Sequence, residues 1–235
     1  MKSVYCTDNQ NLRYIMKISN DTIAVLKNFA SVNTNILIRE GNTLSTISTG
    51  KNIFARATVA EKFDREFAIY DLNNLLGLFT LMDDTEVDFG DESLSVSKDQ
   101  GIFEYYYADK SIVVAAPDKQ IEVDDYFTFV LPSETIERVI RAASIAAAPM
   151  LSIISDGTDV YITASDPSTP KSNNFKQKIA KSDKKFTAHL AIENFKVILG
   201  DDYTVTISEK KFMHLSNNAK DVKYWLALDK TSEIS

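Results

Sequence analysis

Asp21-Thr22-Ile23-Ala24-Val25-Leu26-Lys27-Asn28-Phe29-Ala30-Ser31 and Glu134-Thr135-Ile136-Glu137-Arg138-Val139-Ile140-Arg141-Ala142-Ala143-Ser144 are the two stretches that decide the fold. Both read as amphipathic helices. Each has Thr-Ile near its start, an aliphatic residue three positions on and Ala-Ser at its end, at an offset of 134 − 21 = 113 residues. A second pair follows. Phe67–Leu72 runs into Asn73–Phe79, then Asp83-Asp84 and the alternating Thr85–Phe89. Later, Phe186–Leu190 runs into Ile192–Leu199, then Asp201-Asp202 and the alternating Tyr203–Ile207, offset by 118 to 120. One match has a simple rival in the chance similarity of short apolar helices. Two in the same order at nearly the same spacing point to a tandem duplication.

Outward from these pairs, helices are predicted to begin near positions 20, 72, 133 and 191. Between them lie short runs of period-2 alternation, the mark of half-buried antiparallel strands. Asn35–Arg39, Leu94–Ser97, Asp159–Thr163 and Phe212–Leu215 are examples. Glu40-Gly41-Asn42, Phe89-Gly90-Asp91 and Ser155-Asp156-Gly157 supply turns. The fold class is therefore α+β. Two tandem domains each lay two helices on antiparallel sheets. Pro117–Gln120 and the acidic Glu122 to Asp125 read as an extended linker.

The 235 residues are 44% hydrophobic and 25% charged, with 7 Gly and 5 Pro, values of a folded globular chain. The single cysteine, Cys6, excludes an internal disulfide framework and a multi-thiolate metal site and fits a reducing compartment. Met1–Arg13 lacks the apolar core of a signal peptide, and the longest apolar run, Ile145–Leu151, is broken by Pro149. A soluble, intracellular protein is expected, with no membrane partner. The net charge of −7 argues at first sight against nucleic acid. Its distribution changes that. Across the four predicted helices, Asp21, Glu134, Glu137 and Glu193 balance Lys27, Arg138, Arg141 and Lys196, so the acidic excess lies elsewhere. The acids sit toward the helix starts, a bias that dipole capping alone also produces. The apolar stripe is read as Ile23, Leu26 and Ala30 in the first helix. In the third it is Ile136, Val139, Ile140 and Ala143.

Ile18–Thr22 through Leu26–Ala30 resembles the opening of the sliding clamps of tailed bacteriophages, the processivity factors that share the fold of proliferating cell nuclear antigen. Ala68–Asn73 with Leu76-Gly77 and Asp83-Asp84 extends the likeness. Val113–Pro117 resembles the family's exit from its first domain, and Tyr224–Leu228 its last strand. The resemblance spans residues 16 to about 230 and is strongest in the first half. It divides the chain into an N-terminal extension (1–15), a first clamp domain (16–116), a linker (117–125) and a second clamp domain (126–235). It implies a homotrimeric ring that encircles double-stranded DNA, tethers the DNA polymerase and is loaded by an ATP-dependent clamp loader in the cytoplasm of an infected bacterium. No cofactor is implied, and no enzymatic activity. By the family's pattern Lys27, Arg138, Arg141 and Lys196 face the DNA, although the second helix carries no basic residue. A topological link needs no strong phosphate attraction, and tight contacts would brake sliding. The family's partner-peptide cleft falls, by position, on Pro117, Ile121 and Leu228.

Ring closure also has a candidate in the residues themselves. Ser111–Ala116, with Ile112, Val113 and Val114, reads as an apolar edge strand, and such an edge invites pairing with another chain. Asn174–Ala180, with Phe175, Lys176 and Lys178, is its candidate partner in a head-to-tail contact. An interior strand of its own sheet is the alternative for Ser111–Ala116.

Two stretches imitate polymerase chemistry. Leu81-Met82-Asp83-Asp84 and Gly200-Asp201-Asp202-Tyr203 resemble paired aspartates that hold two metal ions. Each pair follows a helix and precedes a strand at an equivalent place in the repeat, so a turn is the simpler account. His189 and His214 have no metal-ligand spacing, and no phosphate-binding glycine loop is present. No metal site is expected. A β-rich phage structural protein and a metal-dependent nucleotidyl transferase or nuclease remain as rival functions.

Overall fold

The computed structural model describes residues 4–8, 11–82, 84–169 and 171–234, with side chains from Tyr14 onward. Two compact units emerge. The first comprises residues 1–49 and 56–117, the second residues 50–55 and 118–235. Six residues of the first half of the sequence, Gly50–Ala55, thus cluster with the second unit.

The first unit runs β1 (Val4–Asp8), β2 (Asn11–Lys17), α1 (Asn20–Val32), β3 (Ile36–Ile38), β4 (Gly41–Ile47) and β5 (Ile53–Phe63), of which the first three residues belong to the second unit. It continues with β6 (Phe67–Ile69), α2 (Leu72–Leu81), β7 (Glu86–Phe89), β8 (Ser93–Lys98) and β9 (Gly101–Tyr106). Its main sheet has the order β1-β2-β7-β8-β9, and β3 pairs with β6. Strand β2 begins at Asn11 and pairs Tyr14 with Phe89 and Met16 with Val87, so residues before Met16 are part of the sheet.

The second unit runs β10 (Phe127–Leu131), α3 (Ser133–Ala146), β11 (Met150–Asp156), β12 (Asp159–Ser165), β13 (Phe175–Lys181) and β14 (Lys185–Ala191). It ends with α4 (Ile192–Phe195), β15 (Tyr203–Ser208), β16 (Phe212–Asn217) and β17 (Val222–Ala227). One sheet has the order β13-β12-β11-β14, and another contains the consecutive strands β10-β15-β16-β17. The Gly50–Ala55 segment joins beside β17, where the Ala227 amide donates to the Asn52 carbonyl at 2.8 Å.

Helix starts at 20, 72, 133 and 192 agree with the sequence pattern. Each of the first two has a built cap. Ser19 accepts from the Thr22 amide at 3.3 Å, and Asp71 accepts from the Asn73 and Asn74 amides. Glu61, only 6% exposed, reinforces the first cap. It accepts the Ser19 amide at 2.6 Å and the Thr22 hydroxyl. The buried stripe of α1 is Thr22, Val25, Leu26 and Phe29, so Ile23 and Ala30 are only half-buried. Burying the Phe29 ring completely turns the helix away from the expected stripe, because an aromatic ring removes far more apolar area from water than an alanine methyl. In α3 the buried residues are Thr135, Ile136, Val139 and Ala143, with Ile140 half-buried. The fourth helix is a single turn, shorter than the expected run to Leu199. The chain instead tightens through Ile198-to-Phe195 and Asp201-to-Leu199 backbone bonds.

Strand β3 is buried at all three positions, where alternation had suggested one solvent face. Leu37 packs with Ala68 and Val113. That contact also corrects the Ser111–Ala116 strand. Lys110–Ile112 forms a 3-10 turn and the following residues join no ladder. Ile112 is 57% exposed on the turn, whereas Val113 is 8% exposed inside its own unit. Val114 is tied by its amide to Asn35 Oδ1 at 2.8 Å. The β-branched run is apolar because it plugs the core over β3.

Candidate functional site

The exposed face of α3 carries Glu134, Glu137, Arg138 and Arg141. Spacing of four along a helix places each acid beside a base. Arg138 is bonded to Glu134, and Arg141 Nη2 lies 2.7 Å from Glu137. At α4, Lys196 Nζ lies 2.7 Å from Glu193. Lys27 on α1 is exposed and makes no ion pair among the described residues. On α2 the exposed polar positions are Asn73, Asn74 and Thr80, none of them charged. These exposed pairs are worth a few tenths of a kcal/mol each, about 0.3–0.5. A phosphate can therefore draw the cation away at little cost, yet meets a face with almost no net charge. Such a surface touches a polyanion without gripping it.

Each unit has a strand, last in its sheet, with exposed side chains suited to pairing with another chain. In the first unit this is β9, where Ile102 is 77%, Phe103 42% and Tyr106 65% exposed. In the second it is β13, which holds Phe175, Lys176 and Lys178 as the sequence suggested. Lys176 Nζ lies 3.9 Å above the Tyr161 ring, and Lys178 Nζ pairs with Asp159 at 2.5 Å. The exposed apolar edge in the first unit is thus β9, and Ile112, Val113 and Val114 are not part of it. Sequence reasoning missed β9. Its signal was present in Gly101-Ile102-Phe103-Glu104-Tyr105-Tyr106, a run of strand formers after a turn.

Pro117 is exposed, and its carbonyl accepts from Arg56 Nη2 at 3.4 Å, while Arg39 Nη2 holds the Ala116 carbonyl at 2.8 Å. Two arginines of the first unit therefore fix its exit. Ile121 is half-buried in a stretch without regular structure, and Leu228 is buried just after β17, its amide bonded to the Lys211 carbonyl at 3.0 Å. Further along, Asp124 accepts from the Ser208 hydroxyl and the Glu209 amide.

Three of the four paired aspartates, Asp84, Asp201 and Asp202, have structural work. Asp83 lies outside the described residues. Asp84 has a left-handed backbone (φ 62°) and is bonded to Lys17, which holds its carboxyl below the usual range. Asp201 accepts from Asn217 at 2.9 Å and Lys220 at 3.3 Å. Asp202 accepts the Ser133 amide at 2.7 Å and so caps α3 from a distant turn. His189 Nδ1 shares a 2.6 Å hydrogen bond with Ser152. His214 lies against Trp225 with ring centres 4.8 Å apart; burial, and then Lys223, push its pKa down to about 4. Among the described residues, no cluster of three or more His, Cys, Asp or Glu could hold a metal ion, and no helix is long and apolar enough to cross a membrane.

A family model described as DNA polymerase processivity factor matches residues 19–115. A sliding clamp of Vibrio phage KVP40 is 28% identical over 225 residues, spanning 91% of this chain and 99% of that relative. A sliding clamp of Escherichia phage RB69 is 37% identical over 109 residues, 46% of this chain and 47% of the relative, so that match covers about half of either. Among solved structures, the proliferating cellular nuclear antigen of Entamoeba histolytica superposes with a TM-score of 0.66 at 14% identity, covering 88% of this chain and 94% of that one. The fold is that of a sliding clamp. A second superposition, on the DNA polymerase III beta subunit of Pseudomonas aeruginosa, covers 96% of this chain and 69% of that one with a TM-score of 0.64 at 13% identity. At these identities the solved structures speak to fold alone. The sequence matches, by contrast, carry the likeness to phage sliding clamps, strongest in the first half as the residues suggested.

Proposed function

We propose that the chain is a DNA sliding clamp, a processivity factor that encircles duplex DNA and tethers the replicative polymerase. The observation that carries this is the pairing of a duplicated two-unit fold with a sheet-ending strand in each unit, β9 and β13, whose exposed side chains suit each other. Antiparallel pairing of β9 with β13 of the next copy is a head-to-tail contact, which builds a ring when its rotation closes. Three copies supply six equivalent units, and a homotrimer is the assembly we assign. Lys27, Arg138, Arg141 and Lys196 then face the DNA. Their acidic partners, Glu134, Glu137 and Glu193, keep the channel from braking on phosphates. Such a protein is not an enzyme. It binds a partner peptide near Pro117, Ile121 and Leu228, is opened onto DNA by an ATP-dependent clamp loader, and works in the cytoplasm of the infected cell.

Sedimentation equilibrium tests the assembly. A trimer has a mass of 3 × 26.3 = 78.9 kDa. A 26.3 kDa species at all micromolar concentrations would contradict ring closure through these edges.

A further inference from the structure

The edge strands β9 and β13 carry opposite charge. In β9 the register pairs Ser95 with Glu104, Val96 with Phe103 and Leu94 with Tyr105. Leu94 and Val96 are fully buried, so Phe103 and Tyr105 share the core side of the sheet, and Ile102, Glu104 and Tyr106 lie on the other. That outer face also holds Glu86 and Asp88 of β7, whose neighbours Val87 and Phe89 are buried. The three carboxylates line one shallow depression with Ile15, Ser95 and Ile102. Glu104 itself accepts from the hydroxyls of Ser93 and Tyr106 and makes no ion pair among the described residues.

The edge in the second unit is the converse. Val160, Ile162 and Ala164 are fully buried, so their β13 partners Ala180, Gln177 and Phe175 share the core side. Lys176, Lys178 and Lys181, opposite Thr163, Tyr161 and Asp159, stand on the outer face. Lys178 is occupied by Asp159, and Lys176 and Lys181 make no ion pair among the described residues.

We infer that this charge polarity selects the head-to-tail pairing and makes its strength depend on ionic strength; the inference rests on the closure of β9 against β13 proposed above. Antiparallel pairing of the two edges sets Phe103 and Tyr105 beside Phe175 and Gln177 on one face, and Glu104 beside Lys176 and Lys178 on the other. Pairing β9 with a second β9 would oppose two Glu104 carboxylates, and β13 with β13 would oppose lysines, each an unfavourable cross-strand juxtaposition. Like-charge clashes against the wrong partner are how a contact gains specificity. Strand β10, also last in its sheet, exposes Thr128 and Val130 and offers Glu104 no cation.

The test is a charge exchange read by sedimentation velocity across protein concentration, at about 50 mM and about 500 mM salt. Glu104→Lys and Lys176→Glu each raise the concentration needed for assembly about threefold to tenfold, and Glu104→Gln falls between them and the parent. A chain carrying both Glu104→Lys and Lys176→Glu recovers the parent's assembly, a rescue that damaged folding does not give. High salt weakens the parent and the exchanged chain alike. Single variants that assemble like the parent at low salt, or an exchanged chain as weak as the singles, overturn the polarity while leaving the ring intact. A parent that stays monomeric throughout overturns the closure itself.

Discussion

Replacing Glu134, Glu137 and Glu193 by glutamine converts the paired cations of α3 and α4 into free ones. In each pair the cation lies against the acid three or four residues earlier, and every partner side chain is at least 36% exposed. Each pair therefore holds its cation by only about 0.3–0.5 kcal/mol. The three changes together cost about 1 kcal/mol of stability and lower Tm by about 2–4 °C. Their effect on DNA is larger. Each cation that reaches a phosphate steepens the dependence of log affinity on log salt by about 0.9, so three per subunit steepen it by about 2.7. Over an approximately fourfold rise in salt, that deepens the loss of affinity about 40-fold. Fluorescence anisotropy of duplex DNA titrated with the variant across a salt series measures the slope. On loaded rings, single-molecule tracking should show slower diffusion at low salt. A slope equal to the parent's would refute the placement of Arg138, Arg141 and Lys196 on the DNA.

Other consequences follow from particular residues. Glu61→Gln removes a buried carboxylate that caps α1 through Ser19 and Thr22, and should cost about 1–3 kcal/mol in urea unfolding. Ala147 ends α3 with φ 50°, a region in which glycine is unstrained, so Ala147→Gly should stabilise the chain by up to about 1 kcal/mol, and a loss would show that the turn is not left-handed in solution. His214 stays neutral in the folded chain down to about pH 4, whereas in the unfolded chain it protonates near 6.5. The unfolded state then binds the extra proton, so stability falls as pH drops from about 6.5 towards 4. His214→Phe should flatten that part of the profile, measured by urea unfolding at successive pH values.

Much of the fold was legible because duplication writes the same pattern twice. Thr-Ile with an aliphatic residue three positions on marked α1 and α3, and the strand-helix-Asp-Asp order marked α2 and α4. What failed was detail that depends on packing partners far along the chain. Val113 reads as strand by its β-branch, yet Leu37 and Ala68 claim it for the core. Phe29 draws α1 away from the stripe that Ile23 and Ala30 suggested, because depth of burial is set by what faces the helix. The assignment of Gly50–Ala55 to the second unit leaves no trace in composition. At the candidate site, the sequence showed the helix charges and their balance. Which acid holds which base followed only from the side-chain geometry, and the same is true of Asp202, whose carboxylate is spent on capping α3.

The most direct measurement of the central claim is retention on circular against linear duplex DNA of equal length, after loading by a clamp loader with ATP and removal of the loader. A sliding ring is held by topology, so at moderate salt the protein should stay on the circle and leave the linear molecule through its free ends. Equal retention on the two, lost from both as salt rises, would show a surface-bound protein and contradict the clamp.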